Sequence, residues 1–382
     1  MSKNTNQAHP LQKHYACGFD TGNLHPKGFI SPGIGEIYGM SYLDTNPLHK
    51  DRTRLGCFEY LSGNNSFLTE NPLIWTGSEI PYCARTINSY IRVGDEDNGK
   101  VYLGLALFLG ALTSKREHLR KEMHFHMVLS IVNAESVTDR LKAQFEGEHV
   151  VRVYFLNETG KEKYTDHKIT IEVLKVVDEG ASVSQVLQIP ELITLDIGNR
   201  TAITTAFSRG KILNRQAIDE SGVETLIKRI AINNQLKAEL GSYDADLHEV
   251  RRAIESYRQE TVEIIEETET TTKTGKKRKV KNKRTETVDI IEYRKKQIIN
   301  IWEIYAEELQ DWFKCELKRA IATVEEYSVK TGFPVRVIGG GALLPGLTEY
   351  FQNKGWTIAP NPLFVNAQGL CEIAEIMSGV AK

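Results

Sequence analysis

The sequence predicts an α/β protein whose two domains share a cleft, and three observations carry that expectation. At 382 residues the chain exceeds the roughly 250 at which a single core usually stops growing. Two apolar strands end in an Asp-x-Gly turn, one early at Asp20-Thr21-Gly22 and one mid-chain at Asp196-Ile197-Gly198. A third apolar run, Val335-Arg336-Val337-Ile338, ends in Gly339-Gly340-Gly341.

Each Asp-x-Gly strand end has the makings of a phosphate loop. Glycine lets the backbone approach a polyphosphate, the N–H groups of the turn form an anion-binding nest, and the carboxylate can hold a hydrated magnesium ion. One such turn taken alone is usually an ordinary bend. Two of them facing one nucleotide, with a triple-glycine bend where the backbone can lie against an adenosine, form a far more specific set.

In this order and at this spacing the three stretches resemble the actin superfamily of ATPases, and within it the plasmid-partition group of ParM-like bacterial actins. The resemblance implies an actin-like two-domain fold on a duplicated ribonuclease-H-like core, with the nucleotide cleft between the domains. Domain I would comprise residues 1–194 and 363–382, with a small outer subdomain near 31–81. Domain II would comprise 195–362, with a charged insertion near 261–292.

The same resemblance assigns roles residue by residue. Asp20, Thr21, Gly22, Asn23 and Lys27 fall in the first phosphate loop, and Gly198, Asn199, Arg200 and Thr201 in the second. Gly339, Gly340, Gly341 and Ala342 match the adenosine motif, while Gly222 and Lys228 lie where further nucleotide contacts are expected. Glu179 stands where a carboxylate aims the attacking water, and Asp196 matches the second catalytic aspartate. Asp20 and Asp196 would hold Mg2+ through water. The chain departs from the pattern at Pro26, which removes a backbone donor before Lys27, at Ala202 in place of a second threonine, and at Ile131-Val132-Asn133 in place of Gly-Leu-Pro.

The elements follow in chain order. Residues 1–11 are polar, carry no secretion signal, and read as a disordered lead-in. Tyr15-Ala16-Cys17-Gly18-Phe19 is the first strand, and Gly28-Phe29-Ile30 begins its returning partner. Residues 31–81, rich in Gly, Asn, Ser, Pro and Thr, predict irregular strands and loops. Residues 101–109 predict a long buried helix and 127–133 a buried strand. His124 and His126 alternate just before that strand. With no carboxylate or cysteine at ligand spacing, a polar strand face is preferred to a metal pair.

Residues 150–156 and 168–177 alternate apolar and polar around the turn Asn157-Glu158-Thr159-Gly160, as a hairpin or two neighbouring strands would. The second run delivers Asp178 and Glu179. Glu179 is favoured as the water-positioning carboxylate over a plain helix-capping role, with Asp178 the close competitor. Ser221 reads as an N-cap with Glu224 three residues on, followed by an apolar stripe of Leu226, Ile227, Ile230 and Ala231.

Between Tyr257 and Tyr293 an acidic run gives way to the basic residues 273–284. The β-branched flanks suit a hairpin around a basic tip, and a flexible loop fits equally. From Ile298, the apolar residues Ile301, Tyr305, Leu309, Trp312, Leu317, Ile321 and Val324 predict one long amphipathic helix. Helix 347–353, a short strand at 357–359 and a last helix at 367–377 complete the chain. In the family that last helix crosses back to the first domain.

Bulk properties narrow the classes further. A net charge of −2 leaves no global basic field, so direct sequence-specific nucleic-acid binding is not expected. Cys17, Cys57, Cys83, Cys315 and Cys371 are scattered, which suits a reducing cytoplasm and no disulfide framework. No run reaches the length of a transmembrane helix. The implied function is binding of ATP or GTP with Mg2+ and slow hydrolysis, coupled to reversible assembly of the chain with itself into filaments. The implied role is plasmid DNA segregation through a DNA-binding adaptor protein. A cell-shape or cortical filament is compatible with the same residues, a sugar or acetate kinase shares the same core, and a heat-shock chaperone is disfavoured because no peptide-binding domain follows.

Overall fold

The first strand shows how the N-terminal half is layered. The computed structural model describes residues 13–380 apart from 23–24, 40–41, 49–50, 84–89, 94–98, 272–276 and 296, and side chains other than those of 82–83 and 265–282. Along β1 (Lys13–Asp20), Tyr15, Cys17 and Phe19 enter one core while Ala16 enters another, the alternation a strand imposes. The first core is closed by the helices Gly99–Thr113 and Ala134–Phe145, with the ring of Phe108 edge-on to both Phe19 and Phe125.

The opposite face is covered by the helix Val365–Ser378, whose Leu370, Cys371 and Ala374 pack on Ala16 and Val128. The approach requires Gly18, because a Cβ there would lie 2.1 Å from the Ala367 carbonyl oxygen. The last helix of the chain thus seals the sheet begun by the first strand. Asn23 and the 1–11 lead-in lie outside the described residues.

The strands that follow are β2 (Lys27–Ser31), β3 (Gly35–Tyr38), β4 (Tyr42–Asp44), β5 (Cys57–Ser62), β6 (Leu73–Thr76), β7 (Ile91–Arg92), β8 (Glu122–Ile131), β9 (Gly147–Leu156) and β10 (Glu162–Asp178). Among the described residues they form one sheet in the order β3-β2-β1-β8-β10-β9-β5-β6-β4-β7. Its centre, β1-β8-β10, is parallel, and towards the C-terminal ends of β1 and β8 it is buried on both faces, as helix-covered strands must be. β9 and β10 form the expected hairpin. The strands of residues 31–81 hydrogen-bond onto the two flanks of this sheet.

A second sheet, in the order β13-β12-β11-β18-β19, is built from β11 (Leu192–Ile197), β12 (Ala202–Ser208), β13 (Lys211–Ile218), β18 (Val335–Ile338) and β19 (Thr357–Ile358). Its core holds Ile193, Leu195 and Val337 against Leu226, Ile230, Trp312 and Val324 from neighbouring helices. The parallel register sets Asp196 beside Ile338, so the second Asp-x-Gly turn and the glycine run emerge together at one sheet edge.

One expectation is corrected, and of the two readings of the charged segment the structure shows the hairpin. The single long helix is two, Trp302–Lys314 and Lys318–Thr331, and residues 298–300 are a strand. The five-residue step from Trp312 to Leu317 marks the break, since a continuous helix keeps one face only at steps of three or four. The charged segment is a hairpin of β14 (Arg258–Thr271) and β15 (Lys277–Ile290), followed by the small pair β16 (Glu292–Arg294) and β17 (Ile298–Asn300). Most of the basic block therefore runs along a strand, and its register sets Lys279 opposite Glu269 and Lys281 opposite Glu267. Lys273 lies outside the described residues. No helix among the described residues is long and apolar enough to cross a membrane.

Candidate nucleotide-binding cleft

Three strand ends bring three carboxylates to one place. Asp20 terminates β1, Asp196 lies one residue before the end of β11, and Glu179 follows β10 directly. All three line a cavity of about 410 Å³ together with Gly22, Lys27 and Gly198. That volume is in the range of small-molecule sites, roughly 300–1,000 Å³.

The electrostatics of the trio are lopsided. Burial pushes the Asp20 carboxyl above its ordinary range against the pull of Lys27. Burial, opposed by Lys27 and reinforced by Asp20 and Glu179, raises Asp196 to about 6. Glu179 behaves differently: burial pushes it up, but the adjacent Lys100, with Arg215 and Lys27, holds it below the usual range. Lys100 Nζ donates to Glu179 Oε1 at 2.8 Å. The backbone of the Glu179 turn is held as well, with Arg215 Nε donating to the Glu179 carbonyl at 3.3 Å and Asn366 Oδ1 accepting from Gly180 N at 3.2 Å. Asp178 turns the other way and caps the helix Ala134–Phe145 by accepting from Ala134 N at 3.0 Å.

The second loop is clamped by a helix N-terminus. The carbonyls of Gly198, Asn199 and Arg200 accept from Val223 N, Glu224 N and Gly222 N at 3.1, 2.7 and 3.1 Å. These bonds consume the free donors of the helix Val223–Ile232. Because a trans peptide sets N–H and C=O on opposite sides, the amides of Asn199, Arg200 and Thr201 are directed away from the helix. Gly222 makes the clamp possible, since a Cβ there would meet the Asn199 carbonyl oxygen at 2.4 Å. The expected Ser221 cap is corrected: the helix is capped by Gly222, and Ser221 Oγ accepts from Ala202 N at 2.9 Å and donates to Ile218 O at 2.6 Å.

The glycine run serves packing as much as access. Gly339 has φ +84, and a Cβ there would lie 2.2 Å from Asp196 Oδ1; one on Gly341 would lie 2.3 Å from Ile197 Cγ2. Only side-chain-free residues let β18 turn across the end of β11. Gly340 and Gly341 line the cavity, whereas Ala342 is buried in the core behind it.

Other expected site residues are placed differently. Thr21 is buried, its Oγ1 donating to Ser130 O at 3.0 Å, so it fixes the loop rather than facing the cavity. Asn199 and Thr201 line the cavity. Arg200 is exposed outside it. Lys228 sits on the exposed side of its helix, outside the cavity lining, while Val223 and Ile227 line the cavity. An apolar stripe and a lining wall are here the same residues.

Sequence reasoning missed Lys100, His25, Arg251 and Tyr257, the last three of which line the cavity. Arg251 Nη2 donates to Glu224 Oε2 at 2.7 Å, and Arg92 Nη2 from β7 reaches the same oxygen at 2.9 Å. The signal was a cation on the apolar face of the helix Leu247–Glu255, among Val250, Ala253 and Ile254. His25 stacks on Tyr38 at 4.8 Å, and burial, with repulsion from Lys27 and Arg251, lowers its pKa to about 3. It is a neutral ring at the cleft.

The donor set suits a magnesium-bound polyphosphate. Asp20 Oδ1 is buried with no hydrogen-bond partner, and three clustered carboxylates repel a phosphate unless a hard cation stands between them. Lys27 lines the same cavity and is the neighbouring cation that most opposes the upward shift of Asp20 and Asp196.

No protein-family model matches this chain, and no curated protein matches its sequence. Solved structures do match. A Bacillus thuringiensis ParM hybrid protein with ADP, containing two ParM mutants, superposes with a TM-score of 0.63 at 16% identity over 98% of this chain; the match spans half of the hybrid's length. A 15-stranded ParM filament from Clostridium botulinum gives 0.60 at 13% identity, over 95% of this chain and 99% of that one. MreB 5 of Spiroplasma citri bound to AMPPNP gives 0.55 at 13%, over 96% and 98%. The chain has the actin-like two-domain fold. In that fold the cleft between the two sheets is where Asp20, Glu179 and Asp196 meet.

Proposed function

We propose that this actin-like chain binds ATP or GTP with Mg2+ in the cleft, hydrolyses it slowly, and polymerises reversibly into filaments of itself. The observation that carries the reading is the convergence of Asp20, Glu179 and Asp196, with Lys27, on a glycine-bordered cavity. Asp20 and Asp196 would hold the magnesium through water, and the ion would screen phosphate charge. Lys27 neutralises the phosphate tail. The amides of Asn199 to Thr201 offer donors to it, and Gly340 and Gly341 leave room for the nucleoside.

Glu179 is the proposed water-positioning carboxylate. Held ionised by Lys100, it can accept a proton from the attacking water and aim it, which is the main task phosphoryl transfer leaves to a side chain. Closure of the lobes over the phosphates would then alter the surfaces through which copies assemble. Nucleotide shifts that equilibrium only by its difference in affinity between the two states.

The biological role that fits best is plasmid DNA segregation in the cytoplasm, with a DNA-binding adaptor protein linking filament to cargo. The likeness to an MreB supports a second reading, a cell-shape filament. A small-molecule kinase is less well supported, because the solved structures this chain resembles are ParM and MreB proteins. The test is sedimentation with ATP or GTP and Mg2+, with electron microscopy of the pellet. Polymer should form with nucleotide and fail with Asp20→Ala or Asp196→Ala; a soluble monomer at every concentration defeats the filament reading.

A further inference from the structure

At the far end of the first sheet, away from the cleft, three histidines meet. Parallel pairing of β1 with β8 registers His14 with His124 and Ala16 with His126, and pairing of β8 with β10 registers Glu172 with His126. Since alternate residues share a face, His14, His124, His126 and Glu172 project to one side. The ring centroids are 4.6–5.2 Å apart, and one nitrogen from each ring lies within 4.8 Å of the others. The preference for a plain polar strand face rests on His124 and His126 alone. The two histidines lie inside β8, and their missing partners come from strands distant in sequence.

We propose that His14, His124 and His126 form a binding site for a divalent transition-metal ion, with zinc as the ion that fits best. His126 Nδ1 lies 2.9 Å from Glu172 Oε2, and His126 Nε2 lies 3.0 Å from His14 Nδ1. A carboxylate accepts only, so Glu172 fixes the proton on Nδ1 and leaves the lone pair of Nε2 facing the other rings. A carboxylate on the outer nitrogen of a ligating histidine is the usual arrangement around zinc. Two nitrogens on one tetrahedral zinc, each at ~2.0–2.1 Å from it, stand about 3.3 Å apart, close to the separation already present here.

Three imidazoles suit zinc or its late first-row neighbours and not magnesium. His14 is exposed and the other two are half-buried, which gives the ion an entry path and leaves a fourth position for water. The backbone is held rigid because Phe125 and Met127, between and beside the ligands on β8, are fully buried on the other face. The ion would tie β1 to β8, with β10 joined through Glu172. Six residues of strand separate His14 from Asp20, about 20 Å at 3.3 Å per residue, so the site is independent of the cleft.

The test is calorimetric titration of chelator-stripped, tag-free protein with Zn2+, repeated with Mg2+, and with Co2+ followed by its visible absorption. One zinc per chain is expected at this site, with a tetrahedral cobalt spectrum and with the Mg2+ titration the same for the unaltered protein and the triple histidine variant. Glu172→Gln should weaken zinc by about 10–100-fold, and the triple change H14A/H124A/H126A should abolish binding while nucleotide binding persists. Failure of the unaltered protein to take up zinc, or retention of the same affinity by the triple variant, overturns the proposal. Should the triple variant not fold, H126A alone is decisive, since it must cost at least as much as Glu172→Gln.

Discussion

Lys100 Nζ donates to Glu179 Oε1 across 2.8 Å, joining the first turn of the helix Gly99–Thr113 to the turn after β10. Both side chains are nearly buried, so neither charge is well tolerated without the other. The pair selects an ionised carboxylate at the point where a water would be activated.

The first prediction concerns that carboxylate. Glu179 is held below its ordinary range, and Lys100 is the strongest of the groups that oppose burial. In Lys100→Met the upward push of burial faces only Arg215 and Lys27, so Glu179 should protonate at higher pH. The acidic limb of the pH–kcat profile for nucleotide hydrolysis is expected to move to higher pH. An unchanged limb would mean that Glu179 is not the group that titrates in turnover.

Asp196 carries the opposite sign. Its folded pKa of about 6 lies above the ordinary 3.8, so the folded state binds its proton more tightly than the unfolded chain does. The contribution is fully favourable below pH 3.8 and is lost as pH rises through about 6. Asp196→Asn should therefore stabilise the nucleotide-free protein at pH 8 and change little at pH 4. At ~1.4 kcal/mol per tenfold change the full displacement is worth roughly 3 kcal/mol, and partial exposure to the cleft reduces the expected gain to about 1–2 kcal/mol. Urea unfolding at the two pH values checks it; equal effects at both would remove the argument.

The residues legible in the sequence were those fixed by a local rule. Asp20, Asp196 and Gly341 each sit at a strand end, where an apolar run and a glycine announce a turn, and Glu179 follows a strand of clear alternation. Lys100, Arg251 and His14 obey no such rule. Lys100 opens a helix whose sequence speaks only of burial, Arg251 looks like one more charge on a helix, and His14 gains meaning only from β8. Their roles depend on which strands and helices become neighbours, and that information lies in long-range pairing rather than in any window of sequence. Lys228 lies off the lining for the converse reason: helical spacing turns it about 100° from Ile227, and the face that lines the cleft is the apolar one.

Glu224 gives a third prediction. One of its oxygens accepts from Arg92, Asn199 and Arg251 at 2.9, 3.1 and 2.7 Å, joining β7 of the first sheet to the phosphate-side loop. Burial pushes Glu224 up, but Arg92 and Arg251 hold it below its ordinary range. Glu224→Ala removes the buried carboxylate that Arg92 and Arg251 share and should cost roughly 3 kcal/mol, read as a lower urea midpoint. Because this carboxyl is depressed, its contribution is present above the ordinary 4.5 and disappears as pH falls through the lower folded value. The difference between Glu224→Ala and the unaltered protein should thus shrink on acidification.

The last prediction tests whether the glycine run is needed for packing, for the ligand, or for both. A Cβ on Gly341 would stand 2.3 Å from Ile197 Cγ2 and 2.9 Å from the Ile197 carbonyl oxygen, so Gly341→Ala forces β18 away from the end of β11. Overpacking of this kind costs about 1–3 kcal/mol. Gly340 is a contrast within the same turn, because its nearest contact would be Leu363 Cδ1 at 3.4 Å and the residue faces the cavity. Gly340→Ala should leave the urea midpoint nearly unchanged and weaken nucleotide binding by about tenfold, whereas Gly341→Ala should lower both. Paired urea unfolding and fluorescent-nucleotide titration separate the two effects. If Gly340→Ala binds nucleotide as the unaltered protein does, the nucleoside does not lie against this turn, and the assignment of the glycine run to its recognition is wrong.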